Sequence, residues 1–535
     1  MKLRNMLSLA AIALGSFAAS AQLAWADKNR HFYSNESIDQ WPTDTVISCW
    51  RGEKVNALAL FAPKTDGVVT AKISGPISGE ARFIDYVTTN GFRGCGRPQK
   101  EYEPYEVPDI ISDPAAQVVA GQSRPVWVSL NVADDIAPGT YVDSLTIDGE
   151  SIPITIKVNR RAIPAPADRK FYLNLWQQPY AISRYYGVEP WSDAHFELLK
   201  PYAKMLADAS QRTISAILFF EPWGEQSNDL FLPMVETFRN ADGTWEYDYT
   251  VFDRWVEFMT EQGVGPDIEC YSMIPWEMSF RYFDRAKNDY EFLKTTTDSP
   301  EYRELWSNFL SAFAAHVTEK GWFDRTMIAM DERSMADMKN AIEIIDEAAP
   351  GMKISLAGNY HPEIADRLYA LTITQGDQFP PGEVARRRAR GQISSLYTCC
   401  SSPEPNIFSN SAPADAAWLP LHSTITGHDG YLHWSWSNWT DDPLHDSRFK
   451  LFAPGDTYFI YPDAKSSVRF ERLIEGIQLS EKVRLLRLEF IADNNAEVLA
   501  ELNDALMIAS HTRPRPNAST GRQIDSINAI IARYE

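Results

Sequence analysis

Residues 325–332 read Arg325-Thr326-Met327-Ile328-Ala329-Met330-Asp331-Glu332. A short apolar run ends abruptly in two adjacent carboxylates. Met327, Ile328, Ala329 and Met330 suit a strand covered on both faces, as strands of a parallel sheet are. Asp331 and Glu332 then stand at its C-terminal end, where α/β barrels place their chemistry. The plainer reading is that Asp331 merely caps a following helix, which begins near Ser334. Whether the pair is chemical or structural depends on whether the flanking sequence builds a barrel around it.

Working outward, strands and helices alternate on both sides of this stretch. Downstream, a helix over Met335 to Ala348 leads to strands at Lys353 to Tyr360, Tyr369 to Gln375, Ile393 to Thr398 and Gly430 to Trp436. A long helix from Ser466 to Phe490 closes the series. Upstream lie strands at Phe171 to Gln178, Ile214 to Glu221 and Asp267 to Met273. They are separated by helices over Ser192 to Ala209, Thr250 to Gln262 and Ser299 to Gly321, each with an apolar face. The opening stretch is thus the fourth of eight strands, and about 320 residues match a (β/α)8 barrel with insertions. Residues 171–490 are assigned to the barrel and 491–535 to a C-terminal helical tail.

Before residue 163 the period is two. Val55 to Phe61, Val68 to Ile73, Arg82 to Thr88, Val126 to Val132, Tyr141 to Ile147 and Ile152 to Val158 read as short strands punctuated by Pro and Gly. They predict an accessory β-sandwich over residues 27–162, joined by a stiff Pro-rich linker at 163–170. Lys2, Arg4, the apolar run Met6 to Ala19 and the small residues Ala19-Ser20-Ala21 form a signal-peptide pattern, with cleavage after Ala21 or after Ala26. The mature protein is expected to be exported and soluble, either periplasmic or secreted.

The chain has 535 residues, 44% hydrophobic and 23% charged, and a formal charge of −21. Losing Lys2 and Arg4 would make that charge more negative by two. So acidic a chain argues against nucleic acid or an anionic membrane as partner. Five Cys do not make a disulfide scaffold at this length. Cys49 and Cys95 lie in one region and are candidates to pair after export. Cys270, Cys399 and Cys400 read as core or strand-end residues, and their spacing does not suit zinc.

At the strand tips the sequence places Trp176, Glu221, Trp223, Tyr271, Trp276, Asp331, Glu332, Asn359, Tyr360, Tyr397, Trp434, Trp436 and Trp439. Lys and Arg are missing from that set, although Arg333 follows the pair directly. No Gly-rich phosphate motif, no Gly-x-Ser-x-Gly elbow and no His-Glu-x-x-His occurs, so neither a cofactor nor a metal is expected. Acids framed by aromatics suit a glycan. Neighbours on one strand cannot easily flank a sugar ring at the separations of about 5–5.5 Å or 6.5–9.5 Å that paired-carboxylate glycosidases use. They can reach one side of it together, as substrate-assisted hydrolysis by a 2-acetamido group requires. Glu332 would then be the acid/base, and Asp331 would accept the acetamido N–H. The other eleven tip residues are candidates for substrate binding, with one of Trp434 and Trp436 lining the sugar subsite.

On these residues the chain resembles glycoside hydrolase family 123, the β-N-acetylgalactosaminidases. The resemblance rests on Met330-Asp331-Glu332, on Gly430-Tyr431-Leu432-His433-Trp434 with Trp439, and on Tyr461-Pro462 with Ser467-Val468-Arg469-Phe470-Glu471-Arg472-Leu473 and Glu475-Gly476-Ile477. It implies a (β/α)8 barrel behind a β-sandwich, and acetamido participation with Asp331 and Glu332 in the roles above. Beyond Gly476 the run Ile477-Gln478-Leu479-Ser480-Glu481 departs from the family's usual Asp-Tyr-Glu. Arg469 and Glu471 read as structural. Two other readings stand beside this one: a non-catalytic glycan-binding protein, and a conventional glycosidase for neutral sugars using Glu221 with Glu332.

Overall fold

The computed structural model describes residues 22–96, 102–511 and 519–534. The signal-peptide pattern up to Ala21 lies outside them. The description opens on a strand, Leu23–Ala26, paired antiparallel with Lys54–Phe61. Ala24 and Trp25 are buried, and the Trp25 indole N–H donates to Pro153 O at 2.8 Å. Ordered sandwich structure thus begins before residue 27. Of the two cleavage positions, only the one after Ala21 leaves this strand in place.

Two five-stranded sheets make the N-terminal domain. Ala59, Phe83, Val126 and Val128 from one meet Leu145, Ile154 and Ile156 from the other, all buried in one core. The alternation along these strands is what turns the apolar residues to one side. Besides Leu23–Ala26, three of the strands escape a pattern search. Thr45–Arg51 leaves Val46 on an exposed face, Ala115–Val118 is only four residues long, and Tyr105–Ile111 contains Pro108. That last strand sits at the edge of its sheet, where a proline costs no ladder hydrogen bond.

The second domain is an eight-stranded parallel sheet curled into a barrel. Its strands are Tyr172–Leu175, Thr213–Ile217, Asp267–Tyr271, Thr326–Met330, Lys353–Ala357, Ala370–Thr374, Ile393–Thr398 and Gly430–His433. Each neighbouring pair is hydrogen-bonded in register except the first with the second. There a single bridge joins Leu173 to Gln211, and side-chain amides fill the seam. Gln211 accepts from Leu175 N at 3.0 Å and donates to Thr213 O at 2.8 Å, while Gln177 Oε1 accepts from Ser215 N at 2.8 Å. Satisfying these buried backbone groups closes the barrel without a full ladder.

A four-stranded sheet that the strand–helix alternation does not foresee rises from the loops after the second and third barrel strands. Its members are Glu236–Arg239, Trp245–Asp248, Ser279–Asp284 and Asp289–Lys294. Its strands are short and half-exposed, and Phe280 anchors it between Phe219, Tyr302 and Trp306. Because it grows from βα loops, it walls the same end of the barrel that carries Asp331.

Cys95 is bonded to Cys400, with Cα atoms 5.4 Å apart, tying a sandwich loop to the loop after the seventh barrel strand. The expected Cys49–Cys95 pairing does not form. Cys49 lies in the strand Thr45–Arg51 with its sulfur 3.8 Å from Lys157 O. Three hundred and five residues separate the true partners, so no local spacing announces them.

The helix Val468–Ala492 crosses Pro413–Ile425 at very short range. A Cβ added at Gly476 would lie 2.3 Å from Ala417 O. Two further helices, Ala496–Leu506 and Thr520–Ala532, pack on this pair through buried Leu502, Ile524 and Ile527, and Trp418 donates to Gln523 at 2.6 Å. The C-terminal helices therefore belong to the barrel's body. Gly476→Ala is expected to destabilise the chain by about 1–3 kcal/mol, the usual cost of an overpacked contact. Denaturant titration checks this, and an unchanged midpoint would mean the two helices part without cost.

Candidate active site

All five residues of Thr326–Met330 are buried, and the chain leaves the strand at Asp331. The helix that follows is capped by Ser334, whose Oγ accepts from Asp337 N at 3.1 Å. Asp331 is thus not needed as a cap, and its carboxylate turns into the barrel mouth. Arg333 Nη2 stands 3.0 Å from Asp331 Oδ1. Burial pushes the Asp331 carboxyl up to about 6, with the Arg333 guanidinium pulling the other way and the Glu332 charge adding to the rise.

An aromatic wall explains that burial. Trp176 and Trp223 stack at 5.3 Å with planes 15° apart, and Tyr271 tilts onto both at 4.7 and 5.1 Å. Trp223 lies close enough to Asp331 to oppose the rise slightly. Under the wall lies a polar layer, in which Glu269 accepts from Tyr271 Oη at 3.1 Å and from Asn174 Nδ2 at 2.8 Å. Each member of the wall sits at or just past the end of barrel strand one, two or three, so neighbouring strands deliver them to one place.

Glu332 turns the other way. It is exposed, its Oε1 accepts from the Tyr397 hydroxyl, and its Cγ rests where a Cβ on Gly358 would come within 3.3 Å. Burial, the Glu332 hydrogen bond and the Glu332 charge all keep the Tyr397 phenol protonated. Arg333 is held from three sides: Nε donates to Ile274 O at 2.8 Å, Nη1 donates to Glu332 O at 2.8 Å, and the guanidinium lies 4.1 Å over the ring of half-exposed Trp276.

The remaining tip residues divide. Glu221 adopts a left-handed φ of 51°, and its carboxylate accepts from Phe231 N. Burial raises its carboxyl to about 7. It lines a cavity of about 370 Å³ with Asn228, Asp229, Leu230 and Phe292, to which neither Asp331 nor Glu332 contributes. Asn359 is exposed, and Tyr360 meets Phe379 edge-on at 5.7 Å. Trp434 is half-buried, packing on Phe452 and donating to Asp456 at 3.0 Å. Trp436 and Trp439 are not at the site. The eighth strand ends at His433, so strand alternation does not govern them. Trp436 packs outside the barrel near Tyr202 and Phe470, and Trp439 is fully buried with its N–H on Ile460 O.

Among the described residues no group of His, Cys, Asp and Glu is arranged to hold a metal ion. No helix among them is long and apolar enough to cross a membrane.

The model of the glycoside hydrolase 123 catalytic domain matches residues 176–486, and that of the family's N-terminal domain matches residues 25–149. The chain belongs to glycoside hydrolase family 123. A structure of a family 123 glycoside hydrolase from Clostridium perfringens, described as revealing details of glycolipid glycan hydrolysis, superposes with a TM-score of 0.86 at 24% identity. The match covers 96% of this chain and 97% of that one. A putative α-galactosidase/melibiase from Bacteroides fragilis (11% identity, 75% and 74% covered, TM-score 0.25) and a GH10 xylanase from termite gut (8%, 82% and 100%, 0.30) are too distant to inform the site. No curated protein matches the sequence.

In this family 123 chain three contributors to the site are poorly visible in sequence. Arg333 adjoins the pair, but its partner at Trp276 is 57 residues away in sequence. Gly358 leaves room where Glu332 packs, and Asp456 holds Trp434. Only the adjacency of Arg333 offered a signal.

The raised carboxyl of Asp331 has a consequence for stability. Its ordinary value is 3.8 and its folded value about 6, so the native chain holds the proton longer. The stabilisation is complete below about pH 4 and is lost as pH rises through 6. Asp331→Asn, a neutral stand-in for the protonated form, escapes that loss. The variant is expected to be more stable than wild type by about 2 kcal/mol at pH 8, with the gap closing toward pH 4. Thermal unfolding across a pH series checks this, and a variant less stable at pH 8 contradicts it.

Proposed function

We propose that this family 123 glycoside hydrolase releases terminal β-linked N-acetylgalactosamine by retaining hydrolysis, with the substrate's own acetamido group as nucleophile. One observation carries the reading: two adjacent carboxylates diverge into different environments, one largely buried beside an aromatic wall and one exposed and held by a phenol. In the first step the acetamido oxygen attacks C1, and Glu332 protonates the departing glycosidic oxygen. Asp331, as the anion, accepts the acetamido N–H and offsets the positive charge that develops on the ring it forms. Water then opens that ring, giving up its proton to Glu332. Trp176, Trp223 and Tyr271 offer an apolar surface for the sugar face and the acetamido methyl.

The conventional two-carboxylate reading finds less support. Glu221 is engaged by Phe231 N and lines a cavity to which neither Asp331 nor Glu332 contributes. The glycan-binding reading has no use for an acid/base held by Tyr397. We further infer export, with cleavage after Ala21, supported by the N-terminal pattern and by a Cys95–Cys400 disulfide of the kind that persists outside the cytosol. Glycolipid glycans are the substrate source that the Clostridium relative suggests.

Aryl β-N-acetylgalactosaminide, its gluco epimer and the 2-hydroxy galactoside, offered to wild type and Glu332→Gln, separate these readings. The galactosaminide alone is expected to turn over, with a drop of about 10²–10⁴-fold in the variant. Activity should fall as pH drops below about 6, when Asp331 takes up its proton. Equal turnover of the 2-hydroxy galactoside would favour the conventional pair, and neither turnover nor binding of a thiazoline, a mimic of the acetamido-derived intermediate, would favour a glycan-binding protein.

A further inference from the structure

Neighbours along the seventh barrel strand face opposite sides of the wall. Tyr397 turns inward, where its hydroxyl meets Glu332. Leu396 turns outward, and behind it lies a crevice of about 820 Å³. The helix Glu383–Ala389 and the C-terminal end of Pro413–Ile425 line its sides, and Ser510 and His511 close one end. Asp331, Glu332 and the aromatic wall contribute nothing to it. The crevice belongs to the flank of the barrel, not to its mouth.

Two of its lining residues carry buried polar atoms that the chain does not satisfy. Gln375 is 1% exposed, yet neither the oxygen nor the nitrogen of its side-chain amide has a partner among the described residues. Buried amides are rarely left so, because each unmet group has given up its hydrogen bond to water. His428 Nδ1 meets Thr426 Oγ1 at 2.9 Å, while its buried Nε2 has no partner. Burial pushes His422 and His428 down to about 4, so both imidazoles are uncharged at neutral pH. Arg388, the one guanidinium in the lining, is held by Asp429 at 2.7 Å. The Phe379 ring lies 5.6 Å from that of His428, and Pro380 and Pro381 extend the apolar surface beside it.

We propose that this flank crevice is a second, non-catalytic site that binds an N-acetylhexosamine. An acetamido group presents an N–H and a C=O side by side, the complement of the Gln375 amide oxygen and nitrogen. His428 Nε2 takes a sugar hydroxyl, as donor or acceptor, because the Thr426 hydroxyl can satisfy Nδ1 in either tautomer. Phe379 and the two prolines cover a face of the pyranose ring. The volume falls within the usual range for small-ligand sites. The site goes beyond the proposed reaction: it holds a sugar while another occupies Asp331 and Glu332, and its ligand class does not depend on Glu332 as acid.

The test uses the full chain saturated with the thiazoline, so that the catalytic subsite is occupied. N-acetylgalactosamine, N-acetylglucosamine and galactose are titrated by saturation-transfer NMR into wild type, Gln375→Leu and Ala385→Trp. The second variant fills the crevice from an exposed position on the helix Glu383–Ala389, so a misfolded Gln375→Leu does not decide the outcome. Both acetamido sugars are expected to bind the wild type, with galactose about tenfold weaker for want of the amide pair. Each folded variant should lose about tenfold in affinity for the acetamido sugars, while Ala385→Trp keeps the thiazoline constant and the turnover of the aryl galactosaminide. No binding beside the thiazoline, equal binding of galactose, or affinities unchanged in the folded variants overturns the second site and leaves the proposed function standing. If the thiazoline itself does not bind, the proposed function falls, and the same titrations without it decide the second site by the loss in the variants.

Discussion

Arg469 is almost wholly buried, and it ties the sandwich to the loops of the barrel that lie beside the site. Its guanidinium meets Asp109 of the sandwich at 2.9 Å and donates to the carbonyls of Ile407, Gly455 and Tyr458, which lie in loops of the barrel. Removing one partner of such a buried pair typically costs about 3–5 kcal/mol, because the other charge stays buried without compensation. The same helix carries Glu475, which joins Arg472, Lys28 and Asn56, and Glu481, which accepts the N–H groups of Lys170 and Phe171 at the start of the barrel. The closing segment Ser467–Gly476 is therefore the keel between the two domains. Asp456 follows Gly455 directly and in turn holds Trp434, so the keel reaches the rim of the catalytic face.

On that frame the chemistry depends on how the chain leaves the fourth strand, whose last residue is Met330: the two carboxylates that follow turn to different sides. Asp331 is sent under the indoles of strands one and two, where ionisation is costly and a single cation, Arg333, offsets part of the cost. Glu332 is sent into solvent beside Tyr397. Two identical functional groups one residue apart acquire different environments, and a division of labour between them needs nothing further.

Much of this was legible in the chain. An apolar run ending in Asp-Glu marked the fourth strand, and the alternation of elements marked a barrel behind a β-rich domain. Trp176, Trp223, Tyr271 and Trp276 gather beside Asp331 because strand ends converge whatever their sequence separation. What was not legible was decided by tertiary context. The hairpins over residues 236–294 are short and held by one buried Phe280. Cys95 and Cys400 have no shared local pattern. Trp436 and Trp439 look like tip residues only until the eighth strand is seen to stop at His433.

The central claim is that the substrate's acetamido oxygen, rather than a carboxylate, attacks C1. A series of aryl β-N-acetylgalactosaminides carrying zero to three fluorines on the acetyl methyl measures this directly, since each fluorine weakens that oxygen as a nucleophile. The account predicts a steep, progressive fall in kcat with fluorination in the wild-type enzyme. A kcat indifferent to fluorine content would contradict it and return the nucleophile to the protein.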